Sequence, residues 1–361
     1  MLLVDSAEAI LRGGAYRPLA ERALADEPLR REEALAVLRS SDTGLRSLLW
    51  AAFAVRSRHW GRRVKLCVLQ NARSGLCPED CGYCSQSAVS NATIQRYRLV
   101  PVSELVAGAR RAAAGGASRY CMVVSARGPS AADIAHFAAA ARAIRAELPD
   151  LELCVSLGIM DEGQAETLAR AGIDFVNHNL NTSRRFYPSI CSTHTYDDRV
   201  ATVKHTVRAG LAPCSGVIVG MGETAEDLVE AAMELRRLAV VSLPVNFLHP
   251  IDGTPLGDRV PPTSGECLRA LALFRLTNPR ADLRAAGGRE RCLGAAQGLA
   301  LFAANSLFVG GYLTTPGQQR DEAVAMIETL GFEVEGGATS IPASGDGQGR
   351  ANVMRASRLS S

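Results

Sequence analysis

Residues 120–158, YCMVVSARGPSAADIAHFAAAARAIRAELPDLELCVSLG, pass from a short apolar stretch through a long amphipathic one into a second short apolar stretch. The outer pieces, 120–126 and 151–158, have the length and the Val, Leu and Cys content of buried strands. The middle piece, SAADIAHFAAAARAIRAEL from Ser130, has helical spacing and opens on a residue suited to N-capping. Two strands joined by a crossover helix pair in parallel.

The same alternation extends both ways. Further candidate strands are VKLCVLQ (64–70), IDFVNHNL (173–180), PCSGVIVG (213–220), LPVNFLHP (243–250), DLRAAGG (282–288) and SLFVGG (306–311), making eight in all. Helical stretches lie between them, for example SELVAGARRAAAGG from Ser103 and TAEDLVEAAMELRRLAV from Thr224, each again opening on an N-capping type. Eight strands alternating with helices predict an α/β fold, a (β/α)8 TIM-type barrel, over residues 61–335. A doubly wound open sheet is the alternative. Residues 1–60 carry helical Leu, Ala and Arg periodicity and are expected to form an N-terminal helical extension. Residues 336–361, rich in Gly, Ser and Ala without periodicity, are expected to be disordered.

The bulk numbers suit one soluble core. The chain has 361 residues, 47% hydrophobic and 21% charged, a length that α/β barrels use for a single domain. No stretch has the 18 or so uninterrupted apolar residues of a membrane helix, and Asp5 and Glu8 stand where a signal peptide needs a basic and then an apolar run. A cytoplasmic protein with no membrane partner is expected. A formal charge of +3, evenly spread, argues against nucleic acid as the main partner. The local basic run RSRHWGRRVK, Arg56 to Lys65, reads as a solvated loop or a phosphate site. Ten cysteines without an export signal point to thiolate chemistry or small buried hydrophobes, not to disulfides.

Period-two alternation separates the two faces of each strand. Met122 and Val124 oppose Cys121, Val123 and Ser125, and Leu153, Val155 and Leu157 oppose Cys154, Ser156 and Gly158. Asn177, Asn179 and Asn181 alternate with His178 and Leu180. Cys214 shares a face with Gly216, Ile218 and Gly220, Asn246 opposes Val245 and Phe247, and Arg284 opposes Leu283. If the apolar parity meets the helices, Cys121, Cys154, Cys214, several asparagines and Arg284 point into one lumen. Left unpaired there, each polar group costs about 1–3 kcal/mol, so a polar guest is expected. Cys67, Cys191, Cys267 and Cys292 lack such company and read as packing residues, and His178 as a hydrogen-bonded core histidine.

After the first strand comes SGLCPEDCGYCSQS, residues 74–87. Cys77, Cys81 and Cys84 are spaced so that one compact loop can wrap three thiolates around an iron–sulfur cube, leaving one iron without a protein ligand. Zinc with a distant fourth ligand is the alternative from local spacing.

This C-x3-C-x2-C loop, with Tyr83 before its last cysteine, resembles the cluster motif of the radical S-adenosylmethionine superfamily. Within it, CPEDCGYCSQS, RYCMV, VNHNLNTS, CSGVIVGMGET, PVNFLHPIDGTPL, LRAAGGRE and AANSLFVGGYLTT, in that order over roughly residues 65–335, resemble the biotin synthase family. The resemblance implies that Cys77, Cys81 and Cys84 hold a [4Fe–4S] cluster whose open iron binds S-adenosylmethionine. It implies that Cys121, Cys154, Cys214 and Arg284 hold a [2Fe–2S] cluster that donates sulfur. A guanidinium has no lone pair for a metal while protonated, so Arg284 is either deprotonated at the iron or balances negative charge nearby. Asn177 and Asn246 resemble the residues that hold the ureido ring of dethiobiotin. Asn179 and Asn181 resemble those that meet the ribose and its neighbours, with an amide at 181 where many relatives carry a carboxylate. The implied reaction is radical insertion of sulfur into dethiobiotin to give biotin. The implied partners are a low-potential electron donor of flavodoxin or ferredoxin type and a second copy in a homodimer. Another radical enzyme on this scaffold, of hydrogenase-maturase or methylornithine-synthase kind, and a non-catalytic iron–sulfur or zinc protein are the rival readings.

Overall fold

The computed structural model describes residues 14–336. The expected C-terminal tail therefore lies, from 337 onward, outside the described residues. Three helices come first, α1 (Arg17–Leu24), α2 (Arg31–Leu38) and α3 (Asp42–Trp60). Ser41 caps α3 through its Oγ, which accepts from Gly44 N at 3.1 Å, and Gly61, at φ 58°, ends it.

A closed parallel barrel follows. Its strands are β1 (Arg63–Arg73), β2 (Arg119–Val124), β3 (Glu152–Ser156), β4 (Phe175–Asn177), β5 (Ala212–Cys214), β6 (Val217–Val219), β7 (Ser242–Phe247), β8 (Asp282–Ala285) and β9 (Ser306–Phe308). Each pairs with its neighbour in parallel, and β1 with β9 closes the ring. The expected fifth strand, 213–220, is interrupted: β5 pairs with β4 and β7, then the chain steps over Ser215 and Gly216, and β6 continues along β7. Together they fill one of eight positions, so the open-sheet alternative is excluded. A short β10 (Glu333–Val334) pairs with the start of β1.

Crossover helices α4 (Val102–Ala114), α5 (Ala131–Glu147), α6 (Glu162–Arg170), α7 (Tyr196–Arg208), α8 (Ala225–Arg237), α9 (Ser264–Thr277), α10 (Arg289–Leu293) and α11 (Arg320–Thr329) surround it. The helices α5, α6, α7, α8 and α9 open on reciprocal capping boxes, Ser130 with Asp133 and Thr224 with Asp227 among them. The helix expected from Ser103 begins at Val102 with Pro101 as its N-cap, because proline fixes the φ of a first turn and needs no hydrogen-bond acceptor.

The strand parity is as expected. Tyr120, Met122, Val124, Leu153, Val155 and Val176 pack against helices, whereas Cys121, Val123 and Cys154 form a separate cluster inside. Helices α1 to α3 share one buried core with α9 and the barrel strands β7 and β8. The basic run is structural: buried Arg56 donates to the carbonyls of Ala304, Gly61 and Arg63 and stacks over Phe332. No helix among the described residues is long and apolar enough to cross a membrane.

Candidate active site

The lumen has a charged floor. Lys65 Nζ meets Glu152 at 2.8 Å, Arg119 meets Glu152 at 2.8 Å and Asp282 at 3.2 Å, and Arg284 meets Asp282 at 3.3 Å. Arg119 also donates to Ser242 Oγ at 2.7 Å and Arg284 Nε to Ser306 Oγ at 3.0 Å. Arg119, Asp282 and Arg284 are almost wholly buried. Burial works against the charge of Asp282, but Arg119 and Arg284 hold its carboxyl down to about 2. Burial likewise opposes the charge on Arg284, whereas Cys67 and Asp282 raise the guanidinium above its ordinary value. Glu335 also stands 4.0 Å from Lys65, so three cations face three carboxylates and the network is balanced.

Above this floor the three lumen cysteines gather. Cys121 and Cys154 pack in one buried cluster, and Cys154 interacts electrostatically with both Cys121 and Cys214, as Cys214 does with Arg284. Cys121 and Cys154 are register partners, and so are Asn177 and Cys214. Hydrogen bonding among the thiols and burial raise Cys154 and Cys214 well above the usual thiol range. Three buried cysteine sulfurs beside two buried guanidinium groups are the donor type that soft metal ions and metal–sulfur groups take.

The asparagines lie toward the C-terminal ends of the strands. Asn177 Nδ2 reaches Asn179 Oδ1 at 3.2 Å and Cys214 Sγ at 3.2 Å, and Asn179 Oδ1 also accepts from Gly216 N at 3.0 Å. Asn246 bridges two strands, donating to Val217 O at 3.0 Å and accepting from Gly287 N at 3.0 Å. That leaves one amide hydrogen and further lone-pair capacity. Asn181 sits in the left-handed region, at φ 70°, a conformation asparagine tolerates, and donates to Tyr83 Oη at 2.7 Å.

The three-cysteine loop leaves β1 after a register shift between Asn71 and Arg73, and two turns, Cys84 N to Cys81 O and Ser87 N to Cys84 O, both 3.1 Å, fold it back. Burial pushes the Cys77 thiol up to about 11 and raises Cys84 also. Beneath the loop, buried Arg199 donates to Asn179 O at 2.8 Å and to Tyr187 Oη, and it carries charge next to Tyr83 and Cys81. Three thiols on one short folded loop beside a fixed cation fit a cubane cluster of net negative charge. At the same end of the barrel Asn71 Oδ1 and Glu223 Oε2 are buried acceptors without a partner among the described residues. A polar guest that donates hydrogen bonds would relieve both.

Sequence reasoning passed over the floor residues Lys65, Arg119, Glu152 and Asp282, and Arg199. It also took Cys191 for a packing residue. The structure sets Cys191 against the cluster loop instead, with its Sγ 3.7 Å from Cys81 Sγ. The displacement has a cause in the loop geometry: Asp80 accepts from Ser192 N at 3.0 Å and Thr193 N at 3.2 Å, drawing the 190–194 segment onto residues 79–82.

Two family models match the chain, the Radical SAM superfamily over residues 73–235 and the Biotin and Thiamin Synthesis associated domain over residues 244–333. The chain is 50% identical over 317 residues to a biotin synthase of Geobacillus kaustophilus, covering 88% of this chain and 95% of that one. It is 49% identical over 318 residues to biotin synthase 2 of Frankia casuarinae, covering 88% of each. Among solved structures, methylornithine synthase superposes with a TM-score of 0.77 at 20% identity, over 88% of this chain and 97% of that one. The FeFe-hydrogenase maturase of Carboxydothermus hydrogenoformans superposes with a TM-score of 0.74 at 17% identity, over 91% and 82%. These two structures share the barrel fold.

Proposed function

The chain belongs to the biotin synthase family, and from that membership we propose that its barrel lumen is where sulfur enters dethiobiotin to form biotin, with two sets of cysteines in separate roles. It is an enzyme of the radical sulfurtransferase class, working with a [4Fe–4S] cluster, S-adenosylmethionine and a [2Fe–2S] cluster. Cys77, Cys81 and Cys84 would hold the first cluster. Cys121, Cys154, Cys214 and Arg284 would hold the second. Bound there, these groups supply what no side chain can: a radical able to take hydrogen from an unactivated carbon, and an inorganic sulfide to fill its place.

The chain's own residues bind, orient and exclude. Asn179, Asn181 and Tyr83 line the nucleoside side, where Gly216 N fixes the Asn179 amide and Tyr83 Oη fixes that of Asn181. Asn177 and Asn246 present amide groups to the ureido ring, each already held by a second contact that sets its orientation. Such prior fixing brings the reacting atoms together without a new entropic cost at each step. The floor sets the guanidinium groups of Arg119 and Arg284 beside the cysteines, and the apolar outer faces of the strands keep water out.

The observation that carries this reading is the gathering of Cys121, Cys154 and Cys214 in the lumen beside the buried guanidinium groups of Arg119 and Arg284. A cytoplasmic homodimer, drawing electrons from a low-potential flavodoxin- or ferredoxin-type donor, is the setting we infer for it. The test is anaerobic incubation of reconstituted protein with dethiobiotin, S-adenosylmethionine and a reductant. Mass spectrometry should find biotin together with methionine and 5′-deoxyadenosine. Cleavage of S-adenosylmethionine with no biotin, from protein holding both clusters, would overturn the reading in favour of another radical enzyme.

A further inference from the structure

We propose that Cys81, Cys191 and His194 form a mononuclear site for a borderline divalent transition ion, Fe2+ or Zn2+, in the cluster-free protein. The three side chains come from two loops, and all are buried. One ligand atom from each lies within 4.8 Å of the other two. Cys81 Sγ and Cys191 Sγ are 3.7 Å apart, and Cys191 Sγ and His194 Nδ1 are 3.3 Å apart. A tetrahedral ion with metal–sulfur bonds of about 2.3 Å and metal–nitrogen bonds of about 2.0 Å holds two sulfurs about 3.7 Å apart, and a sulfur and a nitrogen about 3.5 Å apart. The donors already stand at nearly those separations.

The surroundings hold the ligands in place, and an entering ion would replace the hydrogen bonds of Cys191 Sγ to Asp80 Oδ1 at 3.2 Å and of His194 Nδ1 to Glu79. His194 Nε2 is bonded to Tyr187 Oη at 2.7 Å, which turns Nδ1 toward the two sulfurs. Asp80 holds the second loop through Ser192 and Thr193, and Gly82 N donates to Ile190 O at 2.9 Å. The Glu79 carboxylate touches Nδ1 and borders the place of a fourth ligand. Two thiolates and an imidazole select zinc, iron or cobalt over magnesium or calcium. Binding is a ligand exchange without redox change: the ion enters, protons leave the two thiols, and the neutral imidazole offers the Nδ1 lone pair with its proton on Nε2 toward Tyr187 Oη.

Cys81 is also one of the three cluster-loop cysteines. On the reading proposed above for that loop, the ion and the [4Fe–4S] cluster therefore compete for a single sulfur. Iron in this site would be poised beside the loop at the onset of assembly, whereas zinc would block it.

The experiment is Co2+ titration of the full-length, cluster-free, reduced protein without oxygen, reading the d–d and thiolate charge-transfer bands. Wild type, Cys77→Ala and Cys84→Ala should each take up one ion at a site with two thiolates, and Cys191→Ala and His194→Ala should lose it. Circular dichroism shows that each variant is folded. A Cys191→Ala spectrum identical to wild type overturns the site, and so does loss of the same bands in Cys77→Ala. Neither outcome bears on biotin formation, so failure here leaves the enzymatic reading standing. In a second arm, one equivalent of Zn2+ should cut the iron taken up on reconstitution by the amount of one [4Fe–4S] cluster. Full iron uptake with zinc retained would overturn the shared use of Cys81.

Discussion

The side-chain amide of Asn177 donates to the sulfur of Cys214 at 3.2 Å, and the two residues are register partners on adjacent strands. One amide thus touches both a candidate sulfur-donor ligand and the neighbouring Asn179. Asn177→Ala removes a half-buried hydrogen-bonding group worth about 1–3 kcal/mol. Dethiobiotin should bind about 10- to 100-fold more weakly, with S-adenosylmethionine cleavage retained. Unchanged dethiobiotin affinity by equilibrium dialysis would remove Asn177 from the substrate site.

The two cysteine sets should separate on mutation. Cys77→Ala takes a ligand from the loop and should abolish S-adenosylmethionine cleavage. Cys154→Ala breaks the lumen chain of thiols at its centre and should leave cleavage detectable while stopping biotin formation. Both products are read in one chromatogram. Equal loss of both activities in both variants would count against separate roles.

Asp282 is the carboxylate shared by Arg119 and Arg284. Asp282→Asn leaves two buried guanidinium groups short of their counter-charge and should cost about 3–5 kcal/mol in urea unfolding of the cluster-free protein. The pH dependence has a definite sign. The folded carboxyl is held down to about 2, whereas the unfolded one takes its proton near about 3.9. Its contribution is therefore complete above about pH 4 and lost as pH falls toward about 2. The variant should lack this part of the acid limb. A midpoint within error of wild type would show that the floor does not depend on Asp282.

Much of the barrel is legible because burial imposes a period on each strand. Tyr120, Met122 and Val124 had to meet helices, which turned Cys121 inward, and the same logic placed Cys154 beside it and Cys214 against Asn177. The ion network of the floor was hidden because its partners are far apart in sequence: Arg119 joins Glu152 and Asp282 only once the ring closes. The interruption between β5 and β6 had a signal in Gly216, but a lone glycine in an apolar run also marks an ordinary bulge. Cys191 lies in a loop without periodicity, and only the grip of Asp80 on Ser192 and Thr193 brings it to Cys81.

Gly216 is required by a close approach. A Cβ built there would stand 1.8 Å from Pro244 O, and its own amide holds Asn179 Oδ1 at 3.0 Å. Gly216→Ala must push β7 away or turn the peptide, and overpacking of this kind costs about 1–3 kcal/mol or more. The expected result is a lower urea midpoint together with weaker S-adenosylmethionine binding, since Asn179 loses its donor. Wild-type values for both would mean that the backbone relaxes without moving the amide.

His59 near the end of α3 should contribute to the neutral-to-acid slope of stability, in the same direction as His178 and His249. Burial, reinforced by Arg275, Arg280 and Arg58, holds its imidazole down to about 4, and Nε2 is buried without a hydrogen-bond partner among the described residues. The folded protein therefore keeps His59 neutral, whereas the unfolded chain takes a proton near about 6.5. Between these values the unfolded state binds more protons, so the stability that His59 contributes is complete above about pH 6.5 and is lost as pH falls toward about 4. His59→Gln keeps a polar group of similar size and removes the titration. In urea unfolding of the cluster-free protein, the midpoint of wild type should drop between about pH 7 and about pH 5, and that of the variant should drop less. Parallel curves for the two proteins would transfer the slope to other groups.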